Sequence, residues 1–120
     1  NETILIADDD EIARRITVRL LERVGYRVIV AHTGAEALAH FAARKDAIEL
    51  VLLDVVMPDM TGPQALAKME SLKPGLRFLF ASGYAWEPGE ADERIVRRSL
   101  QKPFDLDDLL RRVRAALDER

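Results

Sequence analysis

Five short apolar runs, alternating with amphipathic segments, predict an α/β fold: a three-layer αβα sandwich whose middle layer is a five-stranded parallel sheet. The runs are nearly continuous in Ile, Leu, Val, Phe and Ala rather than alternating with polar residues, as strands covered by helices on both faces should be. The stretches between them are long enough to hold the right-handed crossover helices that parallel pairing requires.

Taken in order, Thr3–Ala7 reads as the first strand. Ile12, Ile16, Leu20, Leu21 and Val24 then recur at three- and four-residue spacing, which predicts a helix burying that stripe, and Gly25 is its stop signal. Tyr26–Ala31 is the second strand. Thr33 is a plausible N-cap for a helix whose apolar positions are Ala35, Leu38, Ala39 and Ala42. Leu50–Leu53 is the third strand; Thr61-Gly62-Pro63 is turn chemistry that opens a helix over Gln64–Ser71, and Lys73-Pro74-Gly75 closes it. After the fourth strand, Arg77–Ala81, the segment Gly83 to Val96 holds Trp86, Pro88 and Gly89. It reads as a mobile loop leading into a short helix over Ala91–Val96. Ser99–Gln101 is a weak fifth strand. Asp105 then caps a last helix, Leu106–Leu117, with Leu106, Leu109, Leu110, Val113 and Leu117 on one stripe and Asp107 and Asp108 at the positive end of its dipole.

At 120 residues the chain is one domain, able to bury roughly two-thirds of its unfolded surface. It has no cysteine, so a disulfide framework and thiolate metal sites are excluded. No apolar run approaches the roughly 20 residues that cross a bilayer, no signal-peptide pattern opens the chain, and the cytoplasm is the expected compartment. The formal net charge of −3 does not favour wrapping nucleic acid, although Arg94, Arg97, Arg98, Arg111, Arg112 and Arg114 give the last third a basic cast. With no initiator Met, residues 1–120 read as a domain cut from a longer protein.

Four of the strands end on chemistry-bearing residues. Asp8-Asp9-Asp10 follows the first, Asp54 the third, Ser82 the fourth, and Lys102 the fifth. Strand C-termini of a parallel sheet converge on one crevice, so carboxylates, a hydroxyl and an ammonium should share a pocket. Carboxylates a few ångströms apart demand a cation, and an octahedral Mg2+ takes such oxygen ligands together with phosphate. A carboxylate can attack phosphorus while hydroxyl and ammonium groups neutralise the phosphoryl oxygens. Of the acidic triplet, Asp10 is the one best explained as a helix cap.

These stretches are also where the chain resembles, over its whole length, the receiver domain of two-component response regulators. The matching residues are Ile4–Asp10, Leu52-Leu53-Asp54-Val55-Val56-Met57-Pro58-Asp59-Met60-Thr61-Gly62, Ala81-Ser82-Gly83-Tyr84 and Lys102-Pro103-Phe104. The resemblance implies a flavodoxin-like, doubly wound sheet in the order 2-1-3-4-5. It implies that Asp54 accepts a phosphoryl group from a phosphohistidine on a sensor histidine kinase or histidine phosphotransfer protein. Asp9 and Asp54 would bind Mg2+ directly, with the backbone carbonyl of Val56, and Asp8 through a bound water. Ser82 would donate its hydroxyl to the phosphoryl group, Lys102 would ion-pair with it, and the Lys102–Pro103 peptide would be cis.

Phosphorylation would draw Ser82 inward and re-set the Gly83–Val96 loop. One departure stands out: three residues before the active-site lysine the family usually has Tyr or Phe, and here Ser99 stands. Either Tyr84 or Trp86 reports the state instead, or the output surface changes little, which is the expectation. Val56 and Tyr84, two after Asp54 and two after Ser82, flank the path of attacking water, and their bulk predicts slow hydrolysis of the phosphoaspartate. Ser82-Gly83-Tyr84-Ala85 and Gln101-Lys102-Pro103-Phe104 are similar to receivers fused to sensor histidine kinases. Such a domain would catalyse its own phosphorylation and dephosphorylation without turnover, bind neither nucleic acid nor membrane, and form a homodimer through the face of the last two helices. Two alternatives use the same residues. One is a phosphorylation-independent pseudo-receiver; the other is a small haloacid-dehalogenase-type phosphatase built on Asp8-Asp9-Asp10, which leaves Asp54 unexplained. His32 and His40 read as surface residues.

Overall fold

The computed structural model describes residues 2–83, 93–102 and 104–119. The chain runs β1 (Thr3–Ala7), α1 (Glu11–Arg23), β2 (Arg27–Ala31), α2 (Gly34–Arg44), β3 (Ile48–Asp54), α3 (Gly62–Leu72), β4 (Phe78–Ser82), α4 (Glu93–Arg97), β5 (Ser99–Gln101) and α5 (Leu106–Asp118). All strand pairs are parallel and the sheet order is β2-β1-β3-β4-β5, as the resemblance implies. After β1 the chain moves outward to β2, then crosses back to place β3 on the other side of β1. That reversal opens a crevice beyond the C-terminal ends of β1 and β3.

Because successive strand residues point to opposite faces, the sheet feeds two separate cores. Leu5, Val51, Leu53, Phe78 and Phe80 pack with Phe41 of α2 and Leu66 and Met69 of α3. Ile4, Ile6, Leu50, Leu52 and Leu79 pack with Leu21 of α1 and Leu109, Val113 and Leu117 of α5. Phe78 and Phe80 meet edge to face at 5.4 Å, which ties β4 to the first of these cores.

Two helices bury only part of the stripe their apolar spacing predicts, Leu20 and Leu21 in α1 and Leu38 in α2, and turn the rest outward. In α1 the buried residues are Arg14, Thr17 and Leu21, while Ile12, Ile16 and Val24 are 73, 51 and 50% exposed. Two of those buried positions are polar because their groups find backbone partners: Arg14 reaches the carbonyl of Asp8 and Thr17 Oγ1 donates to that of Ala13. In α2 the inward positions are Gly34, Ala37 and Phe41, with Ala35, Ala39 and Ala42 outside. In α5 the expected stripe is buried at Leu109, Val113 and Leu117, and Leu106 at its start is exposed.

Helix ends follow their side chains. Asp10 caps α1, accepting from Ile12 N and Ala13 N at 3.1 Å each. Thr33 caps α2 and Asp105 caps α5. Thr61 and Gln64 form a reciprocal capping box, so the residues read as turn chemistry start α3 one residue before Pro63. Gly25 ends α1 at φ +103°, a conformation side chains resist. The observed α4 is Glu93–Arg97; residues 84–92, including Tyr84 and Trp86, lie outside the described residues.

Candidate functional site

The register brings the chemistry-bearing residues together. Ala7 pairs with Leu53, Asp54 with Ala81 and Ser82 with Gln101, so Asp8, Asp54, Ser82 and Lys102 sit at neighbouring strand ends. Lys102 Nζ lies 2.8 Å from Asp8 Oδ2 and 3.4 Å from Asp54 Oδ2, bridging positions 94 and 48 residues away in sequence. The backbone N–H of Lys102 donates to the carbonyl of Ser82 at 2.6 Å, which pins the lysine's strand end to β4. Ser82 is 1% exposed, Asp8 6% and Asp54 9%, whereas Asp9 is exposed.

The turn that carries the paired acids is braced from beneath. Asp10 N donates to Asp8 Oδ1 at 2.9 Å, and the buried Arg14 guanidinium donates to the Asp8 carbonyl at 2.9 Å. On the β3 side, Val56 N reaches Asp54 Oδ1 at 3.4 Å, Gly62 N donates to Val55 O at 2.8 Å, and Val56 pairs with Thr61 across the loop. Gly62 is required there, since a Cβ would stand 2.5 Å from the Asp54 carbonyl. The far end of this loop is fixed by Asp59, whose two carboxylate oxygens take Gly34 N and Ala35 N at 2.9 and 2.8 Å. Those backbone donors hold the Asp59 carboxyl below the usual range.

Burial raises the Asp54 carboxyl to about 6; Lys102 opposes the rise and Asp8 adds to it. For Lys102, burial works against the charged form, but the hydrogen bond and charge of Asp8, with those of Asp54, outweigh it and the net shift is upward. An oxygen from each of Asp8, Asp9 and Asp54 lies within 4.8 Å of the others. Three hard carboxylate donors at one opening, with a single ammonium among them, fit a small divalent cation such as Mg2+. Behind the carboxylates a crevice of about 10 Å³ holds no more than a water, so ligands must arrive from the open side. There a cleft of about 470 Å³ runs from Lys102 past Gly83 and Phe104 to Ile16 and Leu106.

Asp8, Asp9, Asp54 and Lys102 thus share one opening, with Ser82 at the neighbouring strand end. Asp10 is turned to α1 as its cap, so it does not supply the second acid of a phosphatase-type Asp-x-Asp. Pro103 lies outside the described residues, and the expected cis peptide with it. Ser99, standing where an aromatic was expected, donates its hydroxyl to the Ile95 carbonyl at 2.8 Å and so belongs to the α4–β5 turn. His32 is exposed. Arg14 and Asp59 escaped the sequence reading. The signal for Arg14 was its place three residues before Thr17 on one helix face, which the more apolar Ile12 and Ile16 obscured.

The family profile described as response regulator receiver domain matches residues 4–114. The chain is 34% identical over 116 residues to the response regulator receiver protein CpdR of Brucella abortus (strain 2308), covering 95% of this chain and 95% of CpdR. It is also 34% identical over 123 residues to the sensor kinase CckA of that organism, covering 98% of this chain but only 13% of the kinase. The crystal structure of the receiver domain from the hybrid histidine kinase CckA matches at a TM-score of 0.80 and 32% identity, covering 97% of this chain and 99% of that one. The chain belongs to the response regulator receiver domain family of two-component systems.

Proposed function

We propose that Asp54 is the phosphoacceptor, that Asp8, Asp9, Asp54 and the Val56 carbonyl hold Mg2+, and that Ser82 and Lys102 contact the phosphoryl group. The observation that carries this reading is the Lys102 ammonium set between Asp8 and Asp54 at 2.8 and 3.4 Å, with Asp9 completing the acidic opening. Carboxylates, an ammonium and a hydroxyl at one opening suit phosphoryl chemistry. A phosphorylation-independent module would have no need of it.

In the transfer, an Asp54 carboxylate oxygen attacks phosphorus, the phosphorus–nitrogen bond of the donor phosphohistidine breaks, and the imidazole leaves with the electron pair and takes up a proton. With its carboxyl near 6, Asp54 is mostly ionised at neutral pH yet more basic than an ordinary aspartate. Mg2+, when bound, neutralises charge on the phosphoryl oxygens. Lys102, already within 3.4 Å of Asp54 Oδ2, balances the charge that phosphorylation adds, and the Ser82 hydroxyl donates to it. The apolar cleft beside Lys102, lined by the exposed Ile16 and Leu106, suits the phosphohistidine-bearing partner, a sensor histidine kinase or phosphotransfer protein. Meeting such a partner calls for the cytoplasm, and on this reading the domain binds no nucleic acid directly.

The exposed Val56 presents no carboxamide or acid to orient water, so the phosphoaspartate should persist for hours. Decay followed by intact mass checks this; a lifetime of seconds without a phosphatase contradicts it. The test of the function itself is incubation with acetyl phosphate and Mg2+. One phosphoryl group per chain should be gained, and none when EDTA is present; uptake indifferent to EDTA, or absent under both conditions, overturns the reading.

A further inference from the structure

The pole of the sheet opposite the acidic pocket, where α3 turns into β4 and α5 ends, carries two adjoining clefts of about 250 and 350 Å³. They share Arg94, Arg98 and Glu119; Arg77 lines one, and Arg97 and Arg112 line the other. Five guanidinium groups therefore surround one groove that contains two glutamates, both already engaged. Glu70 takes Arg94 NH1 and NH2 at 2.9 and 3.0 Å, and the Glu119 carboxylate pairs with Arg98.

Two of the remaining arginines are held by neutral acceptors. Arg77 donates Nε and NH2 to the Glu119 carbonyl at 3.0 and 2.7 Å, and Arg112 donates to the carbonyls of Arg97 and Ser99 at 2.8 and 3.4 Å. A carbonyl fixes a guanidinium without cancelling its charge. Among the described residues no carboxylate pairs with Arg77, Arg97 or Arg112. Arg94 and Arg98 also stand 4.9 and 5.1 Å from the Phe78 ring centroid, so the wall they form is stacked in place.

We propose that this groove docks an acidic, extended segment of a partner polypeptide. Its carboxylates are taken by Arg77, Arg97 and Arg112, over an apolar floor of Leu79 and Ala116. Guanidinium forks match carboxylates in a planar, two-bond geometry, and each of these arginines keeps unused donors. The charges are spread along the groove, which suits several carboxylates in a row better than one small anion. A second copy of the chain, docked through the face of the last two helices, is the competing occupant that the sedimentation arm of the test separates. A nucleic acid offers phosphates to the same guanidinium groups, and the oligonucleotide arm of the test separates it.

The test is fluorescence anisotropy with a labelled Glu-rich peptide carrying one Leu, its Gln-substituted counterpart and a single-stranded oligodeoxynucleotide, on the wild-type chain, Arg97→Glu and Arg77→Gln. The proposal expects binding of the Glu peptide alone, weakened about tenfold in Arg97→Glu and with a shallower salt dependence. Among the described residues the exposed Arg97 side chain makes no hydrogen bond or ion pair, so Arg97→Glu should melt like the parent and take up phosphate normally. Equal binding of the Gln peptide, unchanged affinity in both variants, or preference for the oligonucleotide overturns the proposal. So does a concentration-dependent dimer, seen by sedimentation, that Arg97→Glu abolishes.

Discussion

At Asp54, burial opposes ionisation more strongly than Lys102 favours it, and the carboxyl moves from 3.8 to about 6. An acid that holds its proton more tightly in the folded chain than in the unfolded one stabilises the fold while protonated. That contribution is complete below about pH 4 and is lost as the pH rises through about 6. A rise of this size corresponds to about 1–3 kcal/mol. Asp54→Asn, which cannot ionise, should therefore be more stable than the parent by about that much at neutral pH without metal, and should lack the fall between those pH values. Urea melts of both proteins in EDTA across that range check it; parallel pH profiles would contradict the environment described for Asp54. The site acids, Ser82 and Lys102 were legible because parallel strand ends converge and each ended on the right chemistry. Arg14 and Asp59 were not, because their partners are backbone groups six and about 25 residues away, a relation no local pattern announces.

Among the elements, α1 shows where periodicity misleads. Its apolar residues form a proper helical stripe, yet the sheet-facing side is Arg14, Thr17 and Leu21, because the turn bearing Asp8 needs the arginine beneath it. The difference is measurable. Leu21→Ala should cost about 2–5 kcal/mol, as for any fully buried leucine, whereas Ile16→Ser should change stability by less than about 0.5 kcal/mol. Chemical denaturation of the two variants decides between this face and the one the spacing implied, on which Ile16 would be the costly position. The caps, in contrast, were readable: Thr33, Asp105 and Asp10 each act on backbone N–H groups two or three residues ahead, within the reach of a local signal. Thr61 and Gln64 are equally local, but Gly62 and Pro63 drew attention to the turn rather than to the box around it.

For the whole molecule, the sheet order was taken from family resemblance rather than from periodicity, since alternating strands and helices alone do not say where the chain reverses across β1. The reversal is what sets Asp8 beside Asp54, and on the proposed reading it makes a cation part of the folded state's energetics. Mg2+ at a hundred times its dissociation constant should stabilise the domain by about 2.7 kcal/mol. That gain should shrink below about pH 6, where protons compete for Asp54. Thermal melts with and without Mg2+ at neutral and mildly acidic pH test this, and an equal shift at both would contradict shared ligation by Asp54. The most direct measurement of all is to phosphorylate the chain with acetyl phosphate and Mg2+, reduce the acyl phosphate with borohydride, and map the modified residue by tandem mass spectrometry. The mark should fall on Asp54 and vanish in Asp54→Asn. A mark on Asp8, Asp9, His32 or His40, or one that survives in that variant, would contradict the account.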